Sequence, residues 1–407
     1  MSDCTQPRLE LWSLPSSVLG EVLRFLEPDC VVSFACSSRW ATAWPEPKRV
    51  VRTTKELLSR CEAELRAARR IMTSTWPLRL RTSRHLALVA VAREGSWLRY
   101  AASHLHAHTN VVLAAVTQNG MALKYAASHL QAHTNVVLAA VTQNGMALKY
   151  AASRMRGDKG VALAAVAQSG RALMYAAPHL RADKGLVLAA AAKDGWALEV
   201  AAHHWRADRE VALAAVAQNG CVLVYVAQDL QADKDVVLAA VSQRSEALQF
   251  AAQNMRADKV VVLAAVALCG WALQFADHRL RADSDVVLAA VSQYGQALQY
   301  AAVDMRADRD VVLAAVSQDG FALQHAAAHL RADREVVLAA VSQRSEALQF
   351  AAPNMRADKD VVLAAVALSG WALRHADDRL RADPSVVLAA VSQNPYVQAF
   401  ALEPDLP

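Results

Sequence analysis

The chain has 407 residues, 55% of them apolar and 6% aromatic, with a mean hydropathy of +0.15, which excludes a disordered polymer. Ala, Val and Leu dominate the apolar fraction, so the interior must be built from closely packed small side chains. The net charge of +5 is unevenly placed: residues 1–47 carry −3, residues 48–85 carry +8, and residues 86–407 hold twenty-nine charges of each sign. The long C-terminal part therefore lacks the electrostatic footprint of a nucleic-acid binder. No apolar run nears the ~18 residues that cross a bilayer. The start, MSDCTQPRLELW, has neither the basic nor the apolar region of a signal peptide. Cys4, Cys30, Cys36, Cys61, Cys221 and Cys269 form no CxxC pair and no even framework. These features predict a soluble protein of a reducing compartment, in the cytoplasm, the nucleus or both.

In chain order, the first predicted domain is 12–47. Leu14-Pro15 opens a short helix whose apolar face is Val18, Leu19, Val22, Leu23 and Leu26, with proline suited to the first turn. Pro28-Asp29 breaks the chain and caps a second helix with Val31, Val32, Phe34 and Ala35 on one side. This order, closed by Ser37-Ser38-Arg39-Trp40, resembles an F-box, although Cys30-Val31 stands where a leucine is usual. The resemblance implies docking on a Skp1-type adaptor and recruitment of a cullin–RING ubiquitin ligase. By that carry-over Leu14, Pro15, Leu19, Val22, Leu23 and Leu26 face the adaptor. The alternative is that the same helices only cap the open end of a repeat array and the F-box is vestigial.

The second segment, 48–85, is basic and holds an amphipathic helix, KELLSRCEAELRAARRIM, with Leu57, Leu58, Cys61, Leu65, Ala68 and Ile71 on one side. No aromatic platform interleaves its charges, so it reads as a solvated linker helix rather than a single-strand binder.

From 86 to 402 the sequence is a repeat. VVLAAV or a close variant begins at 111 and recurs every 25 residues to 386, and LALVAV at 86 is a weaker first copy, thirteen in all. Each unit predicts two helices. The first starts at an Asp cap (Asp208, Asp233, Asp258, Asp308) and ends at a glycine (Gly120, Gly220, Gly295, Gly320) expected in the left-handed conformation. VVLAAV is apolar all round and should be buried on both sides. The second helix should carry the stripe Leu123, Ala126, Ala127, Leu130. From Leu130 and Met155 onward Leu alternates with a larger or more flexible side chain, Met or Trp205, which suggests a pair of repeats as the unit. An α-solenoid follows, since Ala-Ala is poor strand material and the leucine-rich-repeat pattern is absent. The pattern resembles the repeat known as domain of unknown function 4116, which implies a helical fold and a binding role.

The remaining signals are weak. His104/His108 and His129/His133 have a metal-compatible spacing only on a helix, and repeat drift accounts for them, so no metal or cofactor is expected. The Arg-Ala-Asp triplets from Arg181/Asp183 to Arg381/Asp383 should neutralise one another. No nucleophile, phosphate loop or carboxylate pair interrupts the repeats, so the chain is not expected to be an enzyme. The residue after each glycine position varies from Glu246 and Glu346 to Trp196, Trp271, Phe321 and Trp371. A core position would not accept both, so the aromatic ones are expected on a solvent-facing rim as target-binding anchors. Together these readings predict an all-α substrate receptor of a Skp1–cullin–F-box ligase, or else a non-catalytic binding scaffold. In either case its partners are proteins, and no membrane is involved.

Overall fold

The computed structural model describes residues 81–401, which fall into two compact units, one ending at Ala202 and one beginning at His203. The fold is all-α. Among the described residues there is no strand, and each unit stacks repeated helix pairs in the manner of a solenoid. No helix among them is long and apolar enough to cross a membrane.

Each repeat begins with a ten-residue helix, such as Arg209–Gln218 or Lys234–Gln243. Its Asp cap forms as expected: Asp208 Oδ1 accepts from Val211 N at 3.1 Å, and Asp233 Oδ1 from Val236 N at 3.1 Å. In the histidine-rich first unit His133 holds the cap position without making that bond. Val236, Val237, Ala240 and Val241 are fully buried, each valine contributing ~1.5–3 kcal/mol. The helix is not buried all round, however. Leu238 and Ala239 are half-buried and Leu163 is 39% exposed, because neighbouring repeats cover only the i, i+1, i+4, i+5 face there, whereas residues 111–116 are buried all round as expected.

The second helix differs from expectation. In place of one continuous helix there is a 3-10 turn, Gly120–Tyr125, an extended pair Ala126-Ala127 (φ −67° and −62°, ψ 147° and 150°), and a single helical turn, Ser128–Gln131. The break has a cause. Ala127 N–H donates to His106 O of the preceding repeat at 2.8 Å instead of continuing a helical ladder. The same bond, 2.7–3.0 Å long, recurs from Ala102 to Ala202 in the first unit and from Ala227 to Asp377 in the second. Leu123, Ala126 and Leu130 are still buried, so the apolar stripe keeps its purpose across the kink.

The glycines also differ. None adopts a left-handed φ, and each instead opens the 3-10 turn against the next repeat. A Cβ on Gly295 would stand 2.5 Å from Ala315 O and 2.8 Å from Gln318 Oε1, which accepts Gly295 N–H at 2.6 Å. Gly120 N–H donates to Gln143 Oε1 in the same way. Two repeats depart from this pattern together. Ser245 and Ser345 replace the glycine, and the positions that would hold the bonding glutamine are Leu268 and Leu368. The pairing predicts that Gly295→Ser destabilises by ~1–3 kcal/mol, and that adding Gln318→Leu recovers part of it. A double-mutant cycle on denaturation midpoints should give a coupling of ~0.5 kcal/mol or more.

The Arg-Ala-Asp triplets do not neutralise themselves. The cap aspartate is bridged by the cation that follows the cap of the preceding repeat: Arg209 to Asp233 (3.0 Å), Lys234 to Asp258 (2.8 Å) and Lys259 to Asp283 (2.9 Å). Those cations first, and the helix N–H groups or desolvation after them, set the Asp233, Asp258 and Asp283 carboxyls, whose net shift is below the usual range. A depressed folded pKa contributes stability above the unfolded value and loses it as pH falls. Stability should therefore be level above about pH 4 and drop below it. Denaturation midpoints between pH 2 and 7 should show that drop, smaller in Asp233→Asn/Asp258→Asn/Asp283→Asn.

Candidate functional site

The second and last residues of the 3-10 turns recur once per repeat and form two columns within each unit. The first column is the residue after the glycine. Here Trp271 and Trp371 are 36% and 41% exposed, while Trp196 and Phe321 are half-buried, as are Glu246, Gln296 and Glu346. A half-open rim explains why carboxylates and indoles share the position. The aromatic anchors are nevertheless not free-standing. Trp271 meets Phe275 edge-on at 5.2 Å, Phe321 meets Phe350 at 5.8 Å, and Trp371 meets Phe400 at 5.6 Å. These contacts fix the rings in place, and each is worth ~0.5–1.5 kcal/mol beyond burial.

The second column closes each 3-10 turn. It includes Tyr125, Tyr150 and Tyr175 in the first unit and Phe275, Tyr300, His325, Phe350 and His375 in the second, all half-buried. Sequence reasoning counted this position within the core motif and did not single it out. The signal was present, since a ring or imidazole recurs there among alanines and leucines. The columns interlock from one repeat to the next: Gln296 Oε1 lies 3.0 Å from His325 Nε2, the spacing also used by Phe321 and Phe350. Burial first, then the nearby Arg306, lowers the His325 pKa, so its imidazole is neutral at pH 7. His375 is lowered in the same way, by burial and then by arginines including Arg356.

At the Ser245/Leu268 exception the strip opens into a shallow groove of about 500 Å³ lined by Glu246, Leu268, Cys269, Trp271, Gln293 and Tyr294. Leu268 is 58% exposed there, and Leu368 beside Trp371 is exposed to the same degree. His104 and His108 fall on different elements: His104 Nε2 contacts Thr82 O at 3.2 Å, and His106 Nε2 contacts Leu98 O at 2.8 Å. Among the described residues no group of His, Cys, Asp or Glu could hold a metal ion. Leu14, Pro15, Leu19, Val22, Leu23 and Leu26 lie outside the described residues, as do the 12–47 domain and nearly all of the 48–85 segment.

The stacked repeats and their open strip define an α-helical repeat protein whose ordered feature is a surface rather than a pocket. A family model described as "Domain of unknown function (DUF4116)" matches residues 133–181, 158–206, 183–231, 208–256, 258–306, 308–356 and 358–403. The chain belongs to this family. Each match spans about two units, and successive starts differ by 25 or 50 residues. Comparison with curated proteins and with solved structures gave no match.

Proposed function

We propose that this protein is a non-catalytic substrate receptor of a Skp1–cullin–F-box type ubiquitin ligase, acting in the cytoplasm, the nucleus or both. In this reading residues 12–47 dock on a Skp1-type adaptor and the solenoid holds a protein target. The observation that carries it is the combination, in one chain, of the Leu14-Pro15 F-box-like order with a repeated, half-open aromatic strip. Aromatic anchors that become buried on binding dominate protein interfaces.

The full chain should co-elute with a Skp1-type adaptor in gel filtration, and Leu14→Ala/Pro15→Ala should abolish the complex. Lack of any complex by the wild-type chain would favour the scaffold reading. In a second test, Trp271→Ala/Phe321→Ala/Trp371→Ala should lower the thermal midpoint by less than about 10 °C while removing target capture. A larger drop would mark these rings as packing residues only.

A further inference from the structure

The triplet arginines of the second unit are set apart from their aspartates, four of which (Asp258, Asp283, Asp333 and Asp358) are bridged from the preceding repeat. In the second unit five stand in consecutive repeats: Arg256, Arg281, Arg306, Arg331 and Arg356. Each is half-buried, and its Nε is buried without a hydrogen-bond partner. Among the described residues none of the five forms an ion pair with a carboxylate, whereas Arg209, Lys234, Lys259, Arg309, Arg334 and Lys359 all do. Asp277 and Asp377 accept from the N–H groups of Arg279 and Arg379 at 3.0 and 3.1 Å, and Glu346 accepts from Ser345 Oγ at 3.2 Å.

This column runs beside the rings. Arg381, one repeat further on, donates Nε–H to Phe400 O at 2.9 Å, and the Arg206 guanidinium lies 5.7 Å from the Tyr225 ring centre. Arg306 and Arg356 are near enough to perturb His325 and His375. The second unit thus presents a row of uncompensated guanidinium groups flanking a row of rings, both with the period of the repeat.

Neighbouring packed helices stand about 8–10 Å apart, so the arginines recur at about that interval. A polyproline II chain has three residues per turn and a rise of about 3.1 Å, returning every third side chain to one face after about 9.3 Å. A β-strand reverses face at every residue and would turn every second such side chain away. Chains of polyproline II form dock on aromatic-lined grooves, and carboxylates pair with arginine bidentately. Stacked bases fit less well, because Trp271, Phe321 and Phe350 already pack ring on ring and the repeats carry no net charge.

We propose that the Arg256–Arg356 column and the adjacent Phe275–His375 rings form a docking strip for an acidic polyproline II segment with a carboxylate at every third residue. The proposal rests on reading the array as a target-holding surface but is independent of the F-box-like domain.

Fluorescence anisotropy with the full chain and labelled (Glu-Pro-Pro)5 tests it at low and physiological salt. Binding should be salt-sensitive and at least about tenfold tighter than to (Glu-Pro)7, in which the acids fall at every second residue. Arg281→Gln/Arg306→Gln/Arg331→Gln should weaken it at least about tenfold with unchanged circular dichroism. Arg306→Lys, which keeps the charge, should weaken it measurably through loss of the planar fork. Absence of binding, equal binding of both peptides, or wild-type affinity in the folded triple variant would overturn the proposal. So would tighter binding of a single-stranded oligonucleotide that the same substitutions remove. Adaptor co-elution is read separately, so a chain that binds the adaptor but not the peptide refutes this inference alone.

Discussion

The approach of each 3-10 turn to the next long helix is so close that almost no side chain fits between them. Gly295 shows the limit, with the site of its missing Cβ 2.5 Å from Ala315 O. That approach fixes the distance between repeats, and two bonds can form only at that distance: the glycine N–H to the next glutamine side chain, and the alanine N–H to the preceding repeat's carbonyl. The alanine-rich composition follows. Ala240, Ala265, Ala290 and Ala315 have no exposed surface, and anything larger would push the helices apart.

The two places where this rule is relaxed are also where the surface changes character. Ser245 and Ser345 bring a Cβ into the contact, and Leu268 and Leu368 remove the glutamine oxygen that would meet it. The position is exposed where glutamine keeps its bond, as at Gln318, so the leucine that replaces it stands exposed beside Trp271 or Trp371, and in the first case it lines a groove. One local substitution pair therefore alters packing and surface together. This places an exposed leucine next to an exposed tryptophan at both irregular points of the array.

The period, the two-part unit, the Asp caps and the rim position after the glycine were legible in the sequence, because each depends on a pattern within one repeat. What was not legible depends on the neighbour. The break at Ala126-Ala127 arises from a carbonyl twenty-one residues earlier, and the glycine is required by a helix twenty residues later rather than by its own φ. The stripe Leu123, Ala126, Leu130 is buried by a kinked chain as well as by a helix, so periodicity could not distinguish them. Tyr125 and its counterparts were hidden for a related reason: they sit at the end of an apolar motif but outside its buried face.

The charge balance shows how local geometry can defeat composition. Twenty-nine charges of each sign in residues 86–407 look self-cancelling. An aspartate that caps a helix, however, has one oxygen fixed on the N–H groups of its own first turn. Its other oxygen is left for the cation at the start of the neighbouring helix, as Asp233 is held by Val236 N and Arg209. The arginine two residues before the cap, from Arg256 to Arg356, forms no ion pair with that carboxylate. Capping and stacking thus separate most triplets of the second unit into a paired aspartate edge and an arginine row, Arg256 to Arg356, without carboxylate partners. A repeat of fixed length then reproduces that separation every 25 residues.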